Sequence, residues 1–213
     1  MTAAAVAALA LLAGCSSDKQ TDWTALFGMI SQSFGRGEDV TREQAAAVPF
    51  ASIGVRVGDD PEGMLVLGSS NGEERLWTAA THVVLLIRSG RVVRTAGLEF
   101  NLGDLRNLRG INGAPSAQGS SDTAWEADLP DQHIFSVPIA CHSNVRGPEA
   151  IKVLGSTVAT VRVDEDCRSD KLDWTFTNSY WIAPQSGLVW RSIQHISPKL
   201  DPLEVRILRP PAS

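Results

Sequence analysis

Val83-Val84-Leu85-Leu86-Ile87-Arg88, then Ser89-Gly90, then Arg91-Val92-Val93-Arg94-Thr95-Ala96-Gly97 is the stretch that decides the fold class of this chain. Two apolar runs of strand length flank a two-residue connection, in which glycine takes positive φ at no steric cost. Connections that short join antiparallel strands, so the segment reads as a β-hairpin. The same punctuation recurs outward in both directions. Gly, Pro and Asn-Gly separate short apolar runs at 51–57, 63–69, 74–79, 82–88 and 91–96, then at 134–140, 150–163, 173–182, 188–196 and 203–209. Leu203, Val205 and Ile207 alternate with Glu204 and Arg206, as in a half-buried strand. Residues 101–133, rich in Gly, Asn, Ser and Asp, read as one long loop. The expected fold is mainly β, an antiparallel β-barrel-like domain.

One or two short helices should precede the strands. Trp23, Leu26, Phe27, Ile30 and Phe34 fall on one face of an amphipathic helix ended by Gly35 and Gly37. Thr41-Arg42-Glu43-Gln44 has the form of a capping box, and Pro49 should stop the helix it opens.

Upstream lies a targeting segment. Residues 3–13, AAAVAALALLA, have the length of a signal-peptide apolar region and fall short of a membrane span. They run into Leu12-Ala13-Gly14-Cys15, which resembles the bacterial lipobox, in which the cysteine thiol takes the lipid. No Lys or Arg precedes the apolar run, which fits a translation start further upstream. The expected organisation is a signal peptide over 1–14, a lipidated tether over 15–21 and one domain over 22–213. Ser16, next to the lipid site, is a residue type associated with sorting to the outer membrane. The 213-residue chain has net charge −5, with 43% hydrophobic and 20% charged residues, so it is a folded domain with no nucleic-acid character.

Beyond Cys15, the even pair Cys141 and Cys167 in an exported chain favours a disulfide. Its closed loop is worth about 3.5 kcal/mol in the chain-entropy model. A metal site that adds His142 and the Asp164-Glu165-Asp166 run, or two free thiols, are the alternatives; the spacing lacks the C-x-x-C of zinc sites.

Catalytic patterns mostly fail. Gly68-Ser69-Ser70-Asn71-Gly72 has the letters of a nucleophile elbow, with His82, His133, His142 and His195 as nominal partners. That motif needs a strand–turn–helix context, whereas Asn71-Gly72 is itself a hairpin signal, so Ser70 reads as a turn residue. His195 reads as a surface or packed strand residue. Asp59-Asp60 and Asp164-Glu165-Asp166 read as solvated turn acids without calcium-loop spacing. No cofactor motif is present, and no metal is expected. Of six Trp, Trp125 alone stands in the expected loop, where its face would stack on a sugar or partner or fold back over one barrel end.

Trp77-Thr78-Ala79-Ala80 with Leu85 to Leu98 resembles the middle of the YjbF family of lipoproteins, also called the GfcB group 4 capsule lipoproteins. Tyr180-Trp181, Ser186 to Ser192 and Gln194 resemble the same family's closing hairpin, and Pro202 to Pro210 its last strand. The resemblance implies a barrel-like fold on a lipid anchor at the periplasmic face of the outer membrane. It also implies clustering with a periplasmic protein and an outer-membrane β-barrel protein of exopolysaccharide or capsule production. It implies no enzymatic activity, and it transfers a role only to Cys15; the Cys141/Cys167 pair stands on its own argument. The expected function is thus a non-catalytic accessory of polysaccharide export that docks to one of those partners. The alternatives are a polysaccharide- or lipid-binding module and, behind it, a periplasmic hydrolase.

Overall fold

The computed structural model describes residues 39–108 and 115–211. Twelve strands form one antiparallel sheet. They are β1 (Ser52–Val57), β2 (Gly63–Asn71), β3 (Glu74–Thr78), β4 (Val84–Arg88), β5 (Arg91–Ala96) and β6 (Asp104–Asn107) in the first half. The second half holds β7 (Ser121–Leu129), β8 (Ile134–Val153), β9 (Ser156–Ser169), β10 (Trp174–Ile182), β11 (Val189–Gln194) and β12 (Leu203–Arg209). The order β5-β4-β3-β2-β1-β12-β11-β10-β9-β8-β7-β6 means that each strand pairs with its neighbours in sequence, save β5 with β6. Pairing of β1 with β12 then rolls the sheet into a nearly closed barrel. The one open seam lies between β5 and β6, bridged where Thr95 N donates to Leu102 O at 2.8 Å.

The deciding hairpin has the anticipated form. Ser89 and Gly90 have φ of 47° and 84°, and Arg88 pairs with Arg91 across the turn. A Cβ at Gly90 would also lie 2.3 Å from Val189 Cγ2, so the position requires glycine twice over.

Side chains alternate between the barrel's interior and its outside. Ile53, Val55, Leu85, Val137, Leu203 and Val205 belong to the main interior core. The helix α1 (Arg42–Ala47) begins with the capping box: Thr41 Oγ1 accepts from Gln44 N and Gln44 Oε1 accepts from Thr41 N. It packs Ala45 with Val40 and Val48 against the outward-facing Met64, Val66 and Leu208. The far end of the β8–β9 hairpin runs beyond β10, because residues 156–160 of β9 pair only with β8. It folds over the outer sheet face, where Ile151 and Val153 cover Trp181.

Three expectations need correction. Residues 101–133 are not one loop: they contain β6 and β7, and Thr123, Trp125, Ala127 and Leu129 of β7 alternate inward. The alternation is hard to see in the sequence because Thr and Ala stand at inward positions in place of large apolar residues. The run 150–163 is not one strand, since Leu154 and Gly155, at φ 48° and 77°, turn β8 into β9. Leucine rarely marks such a turn, because its side chain disfavours positive φ. The polar residues 141–149, not anticipated as strand, belong to β8, and Pro148 sits past Ser143, where pairing with β7 ends. The helix expected over Trp23–Phe34 lies outside the described residues, as does Cys15.

Candidate functional site

Cys141 and Cys167 are directly opposed on β8 and β9 and joined by a disulfide. Glu165 lies two residues before Cys167 on the same inward face, and ligand atoms of the three fall within 4.8 Å of one another. The two sulfurs are bonded to each other and the carboxylate is engaged elsewhere, so the group offers a metal no free ligand set.

Glu165 is the anchor of a buried polar network. Its two oxygens receive the Arg91 guanidinium at 2.8 and 2.9 Å, with the side chains 4% and 1% exposed. Arg91 Nη1 also donates to Tyr180 Oη at 2.8 Å. Thr123 Oγ1 and Asn178 Nδ2 donate to the same carboxylate. The guanidinium carbon lies 4.4 Å above the Trp125 ring, whose Nε1 donates to Thr123 Oγ1. Gln194 extends the network, accepting from Val92 N and donating to Gly90 O and Ser192 Oγ. Five strands, β5, β7, β9, β10 and β11, are thereby tied together through the barrel's interior.

The electrostatics follow from burial and pairing. Burial alone would lower the Arg91 pKa, but the adjacent Glu165 carboxylate more than offsets it and holds the guanidinium above its usual value. Burial drives the Tyr180 phenol far up, with Arg91 opposing and Glu165 adding to the rise. Both groups keep one protonation state, so this arrangement positions strands and does not exchange protons at neutral pH.

The other sequence candidates fall apart in space. Asp164-Glu165-Asp166 is strand, not turn: Glu165 points in, while Asp164 points out and is held by Arg146, Arg162 and Ser179. Trp125 is 3% exposed on β7, so the expectation of a loop aromatic free to stack on a glycan does not hold. Inward parity on β7 and the Arg91 guanidinium over its ring account for its burial. Ser70 lies at the end of β2 beside the Gly72 turn, on a hairpin and not at an elbow before a helix. His82 and His133 occupy left-handed turn positions. His142 faces outward onto Asp122 at 2.7 Å, a bond that raises its pKa. His195 packs against Phe176, and burial lowers its pKa. Glu165 was not singled out alone, although its period-two spacing from Cys167 and Val163 marks it as inward-facing.

Arg91, Tyr180 and Gln194, which gather here, stand in the two blocks that carry the family resemblance. Residues 19–208 match the model of the family described as YjbF, Group 4 capsule polysaccharide lipoprotein gfcB. Two curated Escherichia coli (strain K12) proteins are similar. The uncharacterized lipoprotein GfcB is 24% identical over 205 residues, covering 93% of this chain and 94% of its own. The uncharacterized lipoprotein YjbF is 25% identical over 207 residues, covering 93% of each. The crystal structure of the hypothetical lipoprotein YmcC from Escherichia coli (K12) superposes with a TM-score of 0.71 at 21% identity. It covers 91% of this chain and 96% of that one, a likeness of fold.

Proposed function

Because the chain belongs to the YjbF family of group 4 capsule polysaccharide lipoproteins, we propose that it is a non-catalytic accessory of capsule or exopolysaccharide production or export. The observation that carries this reading is the family match over residues 19–208, which takes in all of the described barrel but Arg209, the last residue of β12. Cys15 carries the lipid, residues 16–21 are the tether, and the barrel stands on the periplasmic face of the outer membrane. Stable anchoring takes more than one acyl chain, which a lipobox cysteine supplies. The protein acts by docking to an outer-membrane β-barrel protein or a periplasmic partner of the same polysaccharide system. The interior network supports a scaffold role, because its charges are spent on strand-to-strand contacts.

The test compares exported with cell-retained polysaccharide in a deletion strain complemented with wild type or Cys15→Ala. Export falls in the deletion and only the lipidatable form restores it. Unchanged export in every strain would overturn the reading.

A further inference from the structure

One mouth of the barrel, rimmed by the β2–β3, β4–β5 and β10–β11 turns, opens into a cavity of about 370 Å³. That is the size of a small-ligand site, and barrel mouths are common places for one. Ile53, Trp77, Ile87, Val189, Val205 and Ile207 form its apolar wall, and Ser192 joins it to the Gln194 end of the buried network. Two polar groups in this wall are unmet. Trp77 is 3% exposed, yet its indole Nε1 has no acceptor. Arg75 stands two residues earlier on the same face of β3 and lines the cavity nearer the rim, with its Nε also buried and without a partner.

A buried donor without an acceptor is unfavourable, and Trp77 Nε1 and the Nε of the half-buried Arg75 are two such donors, while Glu73 at the rim accepts from Ser89. An aliphatic wall with a cation and a donor at one side matches a particular ligand chemistry. A sugar would leave hydroxyls against isoleucine and valine, and only Trp77 offers it a ring. We propose that the mouth holds a single acyl chain whose anionic head group bridges the Arg75 guanidinium and Trp77 Nε1. The chain lies along the aliphatic wall, and the carboxylate or phosphate oxygen supplies the acceptor that Trp77 lacks. This site goes beyond the accessory role, and the two fail independently, because polysaccharide export is not its readout.

The test uses the full chain reconstituted in phosphatidylcholine vesicles and titrated with 2-bromododecanoate, whose bromine lies beside the head group and quenches a neighbouring indole. Wild type shows saturable quenching, and Trp77→Phe loses the saturable part. Arg75→Gln, a change at the rim, raises the half-saturating concentration about tenfold or more, the loss expected for one charge-assisted hydrogen bond. 2-Bromododecan-1-ol, with no charge, binds wild type correspondingly worse. A second arm replaces the free acid with phosphatidylglycerol that carries a 2-bromoacyl chain, brominated next to the head group, in the vesicle. Saturable quenching there identifies a membrane lipid as the source, and its restriction to the first arm identifies a free acid. Quenching that rises without saturation and is the same in Trp77→Phe overturns the site and leaves water as its occupant. Equal binding of acid and alcohol, unmoved by Arg75→Gln, overturns the anionic recognition.

Discussion

Arg91 and Glu165 meet where water cannot screen them, and each is solvated almost entirely by the other and by Tyr180, Thr123 and Asn178. Taking two charges from water is costly, and the attraction repays it only while both partners remain. Glu165→Leu should therefore cost about 3–5 kcal/mol in urea unfolding, because the buried Arg91 charge then loses the carboxylate that offsets it. The double replacement Arg91→Met with Glu165→Leu should recover most of that loss. A single variant that costs under about 1 kcal/mol would mean that the pair is hydrated and does not tie the strands. Tyr180 gives a second reading of the same site, because it is the only tyrosine in the chain. Its folded pKa is raised above the ordinary 10.0, with burial as the main cause. Below that pH both folded and unfolded chains hold the phenolic proton and the group adds no pH dependence. Above it the unfolded chain releases a proton that the folded chain keeps, so stability falls as pH rises. Absorbance at the phenolate band should stay flat through pH 10.0 and appear only with unfolding. A separate phenolate titration that precedes unfolding would show that the network is open to solvent.

Among the elements, the β8–β9 hairpin carries both the disulfide and the inward carboxylate, so its pairing sets the interior. Cys141→Ala with Cys167→Ala should lower stability by about 2–4 kcal/mol, measured by denaturant unfolding. Loss of the tip contacts around Trp181 should not follow, since these lie on the outer face and depend on Ile151 and Val153. Faster hydrogen exchange at the Ile151 and Val153 amides of the folded double variant would contradict that separation. The same hairpin shows what a sequence displays and what it hides. The Ser89-Gly90 and Asn71-Gly72 turns are legible, because glycine advertises positive φ, and so is the capping box of α1. The Leu154-Gly155 turn is not, because the leucine is held there by packing in two outer clusters, a tertiary cause. β7 was hidden for a related reason: its inward Thr123 serves Glu165 and Trp125, so a polar residue stands where periodicity seeks an apolar one. The cysteine pair was legible from its number and compartment. Its neighbour Glu165 was not, because the cation that balances it stands 74 residues away.

At the scale of the whole molecule, an up-and-down meander of twelve strands has only two edges, β5 and β6, and must protect them from pairing with other chains. The seam is sealed mostly by side chains. Leu102 N donates to Thr95 Oγ1 at 2.9 Å, and Val92 N, beside the register shift where β5 pairs with β4, donates to the Gln194 carboxamide from across the interior at 3.0 Å. On the outside Arg94 reaches Asp104 at 3.6 Å. The opposite closure, β1 against β12, is a backbone ladder over the whole of β1, interrupted only by a register shift between Ser52 and Ile53. The two closures should therefore open at different free energies, since local opening follows the local density of contacts and backbone bonds. Hydrogen exchange of the folded chain should show β5 and β6 amides exchanging well before those of β1 and β12. Gln194→Ala should speed exchange at Val92 about tenfold, the equivalent of one net hydrogen bond, and leave the β1–β12 ladder unchanged. If Val92 and the β1–β12 amides exchange together in both proteins, the seam opens only with global unfolding. The barrel would then be closed by its core and not by the Gln194 seal.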